Sequence, residues 1–406
     1  MKEKIRIFCL VFLPLFCLLT ACDAFPFPPE GQDPTGKGPN PGASAGTAAP
    51  DLPEEWKAVW ISYYELGCKD MSQKEFENKV DSMYNNVVQY GFNTVIVHVR
   101  AFADAIYPSK LFPFAANCLK SDGGAPDYDP LDILVSSAHA HGLRFEAWVN
   151  PFRISLKAQN LAELGDSPAF LLGGDSVLFC SRGTYFNPAS KEARGLILDG
   201  IREILAYPVD GIHFDDYFYP TSEPGFDAGS FAAYQEAGGK LPLEDWRRAN
   251  VDALVSSTYR VVKAKGEALR FGISPAANIS RNRDGYFADV QKWCQTEGYL
   301  DYICPQVYFG FQHPTMAFEA CCNQWEELCT ADVDVYFGLA GYKLGTTEEA
   351  FPVDSPARTE WASPGDLIKR QVEYCRSLPK YEGYAVFSYQ SIINQNNIVE
   401  FENLTE

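Results

Sequence analysis

Residues 210–220 read DGIHFDDYFYP. Gly211 to Phe214 is apolar enough for a buried strand, yet two acids and three aromatics follow at once. An ionised carboxylate is costly to bury unless it is paired or hydrogen-bonded. Asp215 and Asp216 therefore belong at the open end of a sheet, or the segment is not a strand.

Seven further segments settle the choice. KAVWISYY (57–64), TVIVHVR (94–100), RFEAWVNP (144–151), RFGISPAAN (270–278), DYICPQVY (301–308), DVYFGLAGY (334–342) and GYAVFSYQ (383–390) share the same near-continuous apolar character. Such runs suit parallel strands covered by helices. Helical patterns lie between them. Ser72-Gln73-Lys74-Glu75 is a capping box opening a helix to Tyr90. Asp129-Pro130 starts a helix that stops at Gly142. Further helices are expected over 188–206, 246–265, 284–296 and 318–329, and after a cap at 363–366. Strand and helix alternate throughout. Eight repeats predict an α/β fold, the closed (β/α)8 or TIM barrel.

In such barrels the working groups sit at the C-terminal ends of the strands. Side chains alternate along a strand, so Ile212 and Phe214 are expected to face the helices. His213 and Asp215 then face the barrel axis, and Asp216 begins the loop at the mouth. Other strand ends are polar in the same way. His98, Arg100 and Asp104 follow strand two; Glu146, Trp148, Asn150 and Arg153 belong to strand three. Tyr217 ends strand four, Asn278 ends strand five, Gln306 and Tyr308 end strand six, and Tyr389 ends strand eight. Aromatic faces stack on sugar C–H surfaces, while amides and guanidinium groups hydrogen-bond hydroxyls. The ring is thus expected to hold a glycan.

Plainer roles stay open for several of these groups. His98 and His213 also fit hydrogen-bonded core histidines. Arg100 also fits an ion pair with Asp104 or Asp215, and Gln306 and Tyr308 also fit packing. A divalent metal on His98, His213, Asp215 and Asp216 is not expected: strand one has no histidine, and the chain has only five. No GxSxG occurs, so a serine nucleophile is not expected either. No cofactor is implied.

The N-terminus reads differently. MKEKIRIFCLVFLPLFCLLTAC has a basic start, a short apolar run and small residues before Cys22. These are the marks of an export signal over residues 1–21, too short for a comfortable membrane span. Leu19-Thr20-Ala21-Cys22 resembles the lipobox of bacterial lipoproteins. That resemblance implies a lipidated Cys22, a membrane partner through the lipid, and placement in the cell envelope. Residues 22–50 are rich in Pro, Gly, Ala and Ser and are expected to act as a flexible tether. The barrel domain is expected over 51–406. The net charge of −19 and the lack of a basic stripe disfavour nucleic acid as a partner. Nine cysteines follow Cys22 without any CxxC, which fits neither a zinc site nor a compact disulfide framework. Several fit small buried residues, with one or two disulfides possible.

RAFADAIYPSKLFPF, PDYDPLDILVSSAHAHGLRFEAWVNPFR, FNPASKEARGLILDGIREIL, DGIHFDDYFYP, DWRRANV, FGISP and DYICPQVYF occur in this order. From about Trp56 to Gln390 the chain resembles the glycosyl-hydrolase-like family 10 of bacterial exported proteins. The resemblance implies a TIM barrel and hydrolysis of glycans, including N-acetylated peptidoglycan strands. Glu146 stands where many relatives have His, and AANISRNRDGY departs from the family after FGISP. The stretch 210–220 is also similar to the DGxDxDxE signature of chitinase-like barrels. Tyr217 occupies the position of the terminal acid there, which leaves the acid's work to Asp216.

Glycoside hydrolysis normally needs two carboxyl groups flanking the bond. Adjacent residues on one strand diverge, so Asp215 and Asp216 do not straddle one sugar ring. Substrate assistance solves this: a sugar acetamido oxygen attacks its own anomeric carbon. One Asp then orients the acetamido group and the other protonates the leaving oxygen. Asp215 orienting and Asp216 as acid/base is the first assignment, and the reverse stays open. An inverting pair with Asp104 or Glu146 is the rival. A lipid-anchored glycan-binding protein with a degenerate barrel is the alternative outside catalysis.

Overall fold

Eight parallel strands close into a barrel, each lying between its neighbours in chain order. They are β1 (Trp56–Ile61), β2 (Thr94–Arg100), β3 (Arg144–Val149), β4 (Gly211–Phe214), β5 (Arg270–Ile273), β6 (Tyr302–Ile303), β7 (Asp334–Leu339) and β8 (Tyr381–Val386). β8 returns to β1 with Trp56 opposite Gly383 and Val59 opposite Val386. The computed structural model describes residues 50–157, 167–215, 218–363 and 365–405. The expected leader, the tether with Cys22, Asp216 and Tyr217 lie outside the described residues.

The strands are buried on both faces because alternate residues feed two separate cores. Val59, Ile61, Val95, Val97, Phe145, Ile212 and Phe214 pack outward against the helices. Trp56, Ala58, Trp60, Ile96, Trp148, Tyr302, Cys304, Tyr336 and Ala385 fill the barrel itself. The period-two pattern expected at Ile212, His213 and Phe214 therefore holds. Large interior groups fit because small ones face them. A Cβ on Gly272 would come within 2.0 Å of the Tyr302 ring, and one on Gly211 within 1.9 Å of Glu146 Oε2.

The N-terminal end is sealed. Trp56 stacks on Tyr336 at 4.3 Å between centroids. The Arg270 guanidinium lies 5.0 Å from the Tyr302 ring centroid, donates to Tyr336 Oη and pairs with Asp334 at 2.5 Å. The other end of the ladder is interrupted earlier than the sequence suggests. Pro275 and Pro305 have no N–H to donate, so β5 and β6 stop at Ile273 and Ile303. Isolated bridges from Gln306 to Ala276 and Gly338 continue the contact.

The helices follow their signals with three differences. Ser72 and Glu75 form the expected capping box of helix Gln73–Gln89, and Asp129 caps Pro130–Ala140 before Gly142 at φ +71°. The helix expected over 188–206 runs over Lys191–Ile204, with Ser190 as its cap. The helix expected over 284–296 is two helices, Ile279–Gly285 capped by Asn278 and Val290–Gln295 capped by Asp289. Asp366 precedes helix Leu367–Arg376 without a side-chain cap bond. The carboxylate of Glu400 accepts from Gly365 N at 2.5 Å and from Ile368 N instead. A small antiparallel sheet was not expected. Arg153–Ser155, Gly183–Phe186 and Val177–Cys180 pair in that order between β3 and β4.

Candidate functional site

The strand ends of β2, β3 and β4 meet at Asp215. The Trp148 indole N–H lies 3.1 Å from both Asp215 Oδ2 and Asn150 Oδ1. Asn150 is fixed in turn, donating its amide N–H to Ala101 O at 3.2 Å. The His98 ring stacks on Trp148 at 3.7 Å and 9°. Asp215 is only 2% exposed, so this indole bond answers the question posed by an acid at the end of an apolar strand.

His213 sits under this cluster. An indole N–H only donates, so Nε2 of His213 accepts from Trp60 at 3.4 Å and from Ser274 Oγ at 2.8 Å. The ring proton then resides on Nδ1 and is donated to Tyr302 Oη at 2.9 Å. Burial lowers its pKa to about 3, so the imidazole is neutral at ordinary pH. Burial, and then the nearby Arg153 charge, hold His98 well below the usual histidine range as well. Both rings are therefore held in the neutral form.

On the β2 side, Arg153 donates to Ala101 O at 3.1 Å, and its guanidinium lies 4.7 Å from the Phe102 ring centroid. Asp104 is half-buried and accepts from Phe102 N at 3.2 Å. Burial raises its pKa to about 6 against the pull of Arg100 and Arg153. Asp104 and Phe102 line a depression of about 420 Å³ with Ile154 and Lys157. Gln306 donates to Ser274 O at 2.9 Å, which places it beside His213's partner. Tyr308 meets Tyr342 edge-on at 5.7 Å and lies 6.1 Å from Phe387.

Four expected members stand apart from this cup. Arg100 faces outward, because the β2–β3 register slips between His98 and Arg100. One extra residue reverses the alternation that follows it. Its guanidinium packs 4.5 Å from the Phe112 ring centroid and against Gly200, and burial lowers its pKa to about 10. Tyr389 turns to helix Gln73–Gln89 and accepts from Asn86 at 2.9 Å. Asn278 is exposed, and its side chain caps a helix by accepting from Arg281 N at 2.8 Å. Glu146 points inward but one layer below Trp148, opposite Gly211. It is fully buried, and burial raises its pKa to about 7. Asp216 and Tyr217 are outside the described residues.

The sequence reading missed most of the aromatic wall. Trp60 shares β1's inward face with Trp56 and Ala58. Tyr63 meets His98 and Phe102 edge-on at 5.5 and 5.4 Å and carries Tyr64 at 4.0 Å. Phe387 lies 6.1 Å from Trp60 and 6.0 Å from Tyr342. Buried Glu65 ties the β1 and β8 ends together, accepting from Ser62 N and from Gln390 N at 3.1 Å. The signal was the string WISYYE at the end of β1, which the sequence reading used as a strand and for its lack of histidine but not for its aromatic rings.

A parallel (β/α)8 barrel that gathers a carboxylate with indole, phenol and amide groups at its strand ends has the layout in which barrel enzymes place their sites. Comparison with known proteins makes this specific. The model of the family described as Glycosyl hydrolase-like 10 matches residues 55–353. The chain is 32% identical over 365 residues to "Glycosyl hydrolase YngK" of Bacillus subtilis, covering 84% of this chain and 69% of that one. It is 27% identical over 412 residues to "Glycosyl hydrolase DigH" of Escherichia coli K12, covering 93% and 91%. The chain belongs to the glycosyl hydrolase-like family 10. The solved α-L-fucosidase isoenzyme 2 from Paenibacillus thiaminolyticus shares the fold at 12% identity and a TM-score of 0.52, over 86% of this chain and 49% of that one. Membership in the family supports a glycosidase-type function.

Proposed function

We propose that this protein is a hydrolase of glycosidic bonds in an N-acetylated, peptidoglycan-like glycan of the cell envelope. The observation that carries the reading is the Asp215 carboxylate, held by Trp148 within a wall of aromatic rings. Sugar rings present apolar C–H faces to such rings and hydroxyls to the amides of Asn150 and Gln306. Asp215, fixed in place, orients the 2-acetamido group. Its oxygen attacks the anomeric carbon while Asp216 gives a proton to the leaving oxygen. Water then opens the cyclic intermediate as Asp216 takes the proton back. In this reading the protein is exported, with Cys22 as its lipid anchor and residues 22–50 as the tether to the membrane.

The test is release of reducing ends from purified peptidoglycan and from chitin oligosaccharides. Wild-type protein is expected to release them, and Asp216→Asn to lose about 10²-fold or more of the turnover while still sedimenting with the glycan. Full activity in that variant would remove Asp216 from the mechanism. Binding without release by the wild type would make the protein a glycan-binding module.

A further inference from the structure

Nine cysteines lie in the described part of the chain, and eight of them are buried. Six come together in twos from distant parts of the chain. Cys322 and Cys375, on helices Phe318–Leu328 and Leu367–Arg376, have their Sγ atoms 3.9 Å apart. In the other two pairs, Cys68 with Cys118 and Cys294 with Cys329, the thiols lie close enough for one to shift the titration of the other. The backbone carries these two contacts. Cys68 N donates to Asn117 O at 3.0 Å, beside Cys118. Cys294 O accepts from Thr330 N and Ala331 N at 3.1 and 3.0 Å, directly after Cys329. Hydrogen bonds between chain neighbours bring α-carbons toward the range of about 4.4–6.8 Å that a disulfide spans. Cys180, Cys304 and Cys321 have no such partner among the described residues.

We propose that Cys68–Cys118, Cys294–Cys329 and Cys322–Cys375 are three sites of covalent cross-linking, each closing to a disulfide when a disulfide oxidant is supplied. The chemistry is exchange. One thiolate attacks the donor disulfide and releases its first thiol. The partner thiolate then attacks the mixed disulfide and releases the second. Each pair gives up two electrons and two protons, and the donor leaves as two thiols. The sulfurs close to about 2 Å, which for Cys322 and Cys375 means side-chain rotation within one helix contact. The pairs also share a pattern. Cys68–Cys118 joins the segment after β1 to the long loop after β2. Cys294–Cys329 and Cys322–Cys375 link helix Val290–Gln295, helix Phe318–Leu328 with its C-cap, and helix Leu367–Arg376 into a chain. All three lie outside the cup, so the cross-links brace the shell of the barrel without touching Asp215.

The experiment is a disulfide map of the full chain. Protein is incubated with oxidised glutathione or with dithiothreitol, denatured, alkylated, digested and read by mass spectrometry. After oxidation, peptides linked through the three named pairs are expected, with Cys180, Cys304 and Cys321 alkylated. The oxidised protein is expected to melt higher by on the order of 5 °C. Cys322→Ser is expected to remove one link, leave the other two and leave Cys375 alkylated. Alkylation of all six after oxidation, or links between other partners, would overturn the proposal, and absence of any one link would overturn that pair. Thiols that pack together merely as small apolar groups give the all-alkylated map.

Discussion

The Trp148 indole N–H donates one hydrogen bond that holds Asp215 in the cup. Trp148 Nε1 serves both Asp215 and Asn150, so replacing Trp148 by Phe keeps the ring over His98 and deletes the donor. In the proposed mechanism the carboxylate then loses its fixed orientation. Trp148→Phe is expected to lower kcat by about 10-fold or more with KM little changed, since a positioned hydrogen bond is worth about 1.5–3 kcal/mol to a charged group. Steady-state kinetics on a defined oligosaccharide checks this. Glu146, one layer deeper, gives a different prediction. Its pKa rises from 4.5 to about 7 on folding, mainly through burial. Between those values the folded state holds a proton that the unfolded state has lost, so stability falls as pH rises from 4.5 to 7. The loss is on the order of 3 kcal/mol and persists above pH 7. Glu146→Gln is expected to gain little at pH 4.5 and most at pH 8, read as the difference in urea midpoints from wild type. An unchanged difference across that range would show that the carboxyl is ionised in the fold with Arg144 and Arg270 as its partners.

At the scale of elements, the helix start at Leu367 shows how a cap is replaced from afar. Asp366 makes no side-chain cap bond, and Glu400, a fully buried acid of the last helix, supplies the acceptor to Gly365 and Ile368. Glu400→Ala is expected to cost about 2 kcal/mol, as for loss of a strong cap, and to lower the urea midpoint without changing activity. No local reading of Ser363 to Asp366 reveals this, because the acceptor comes from the last helix. The same distinction runs through the whole comparison. The eight strands were legible because burial on both faces leaves an almost unbroken apolar run, as in TVIVHVR. His213 and Asp215 were legible because parity holds along a regular strand. Arg100 was not, since the register slip after His98 depends on how β2 meets β3 and leaves no mark in the residues of β2 alone. Tyr389 fails for a similar reason: β8 ends at Val386, so strand parity no longer governs it. The sheet of Arg153–Ser155, Val177–Cys180 and Gly183–Phe186 was hidden because its short strands interrupt the strand–helix rhythm.

Over the whole molecule, the barrel divides its labour along its axis. Trp56, Tyr302, Tyr336 and Arg270 seal the N-terminal end, while Trp60, Tyr63, Phe387, Tyr308 and Tyr342 line the strand-end side. That separation predicts two opposite phenotypes from two aromatic residues near the ends of β1. Trp56 is 1% exposed and stacked on Tyr336, so Trp56→Ala leaves a cavity in the interior. It is expected to cost about 3–5 kcal/mol of stability while the surviving folded protein keeps its KM. Tyr64 is 77% exposed and rests on Tyr63 at 4.0 Å, beyond the packed cup. In the proposed function its free face stacks on a sugar away from the cleaved bond. Tyr64→Ala is then expected to leave the melting temperature unchanged and to raise KM about 10-fold on long glycan strands, as loss of one stacking contact of about 1.4 kcal/mol dictates. Short oligosaccharides that do not reach Tyr64 are expected to be cleaved as before. A KM that rises equally for long and short substrates would place Tyr64 beside the reacting sugar, and one that rises for neither would detach the exposed aromatic rim from glycan binding.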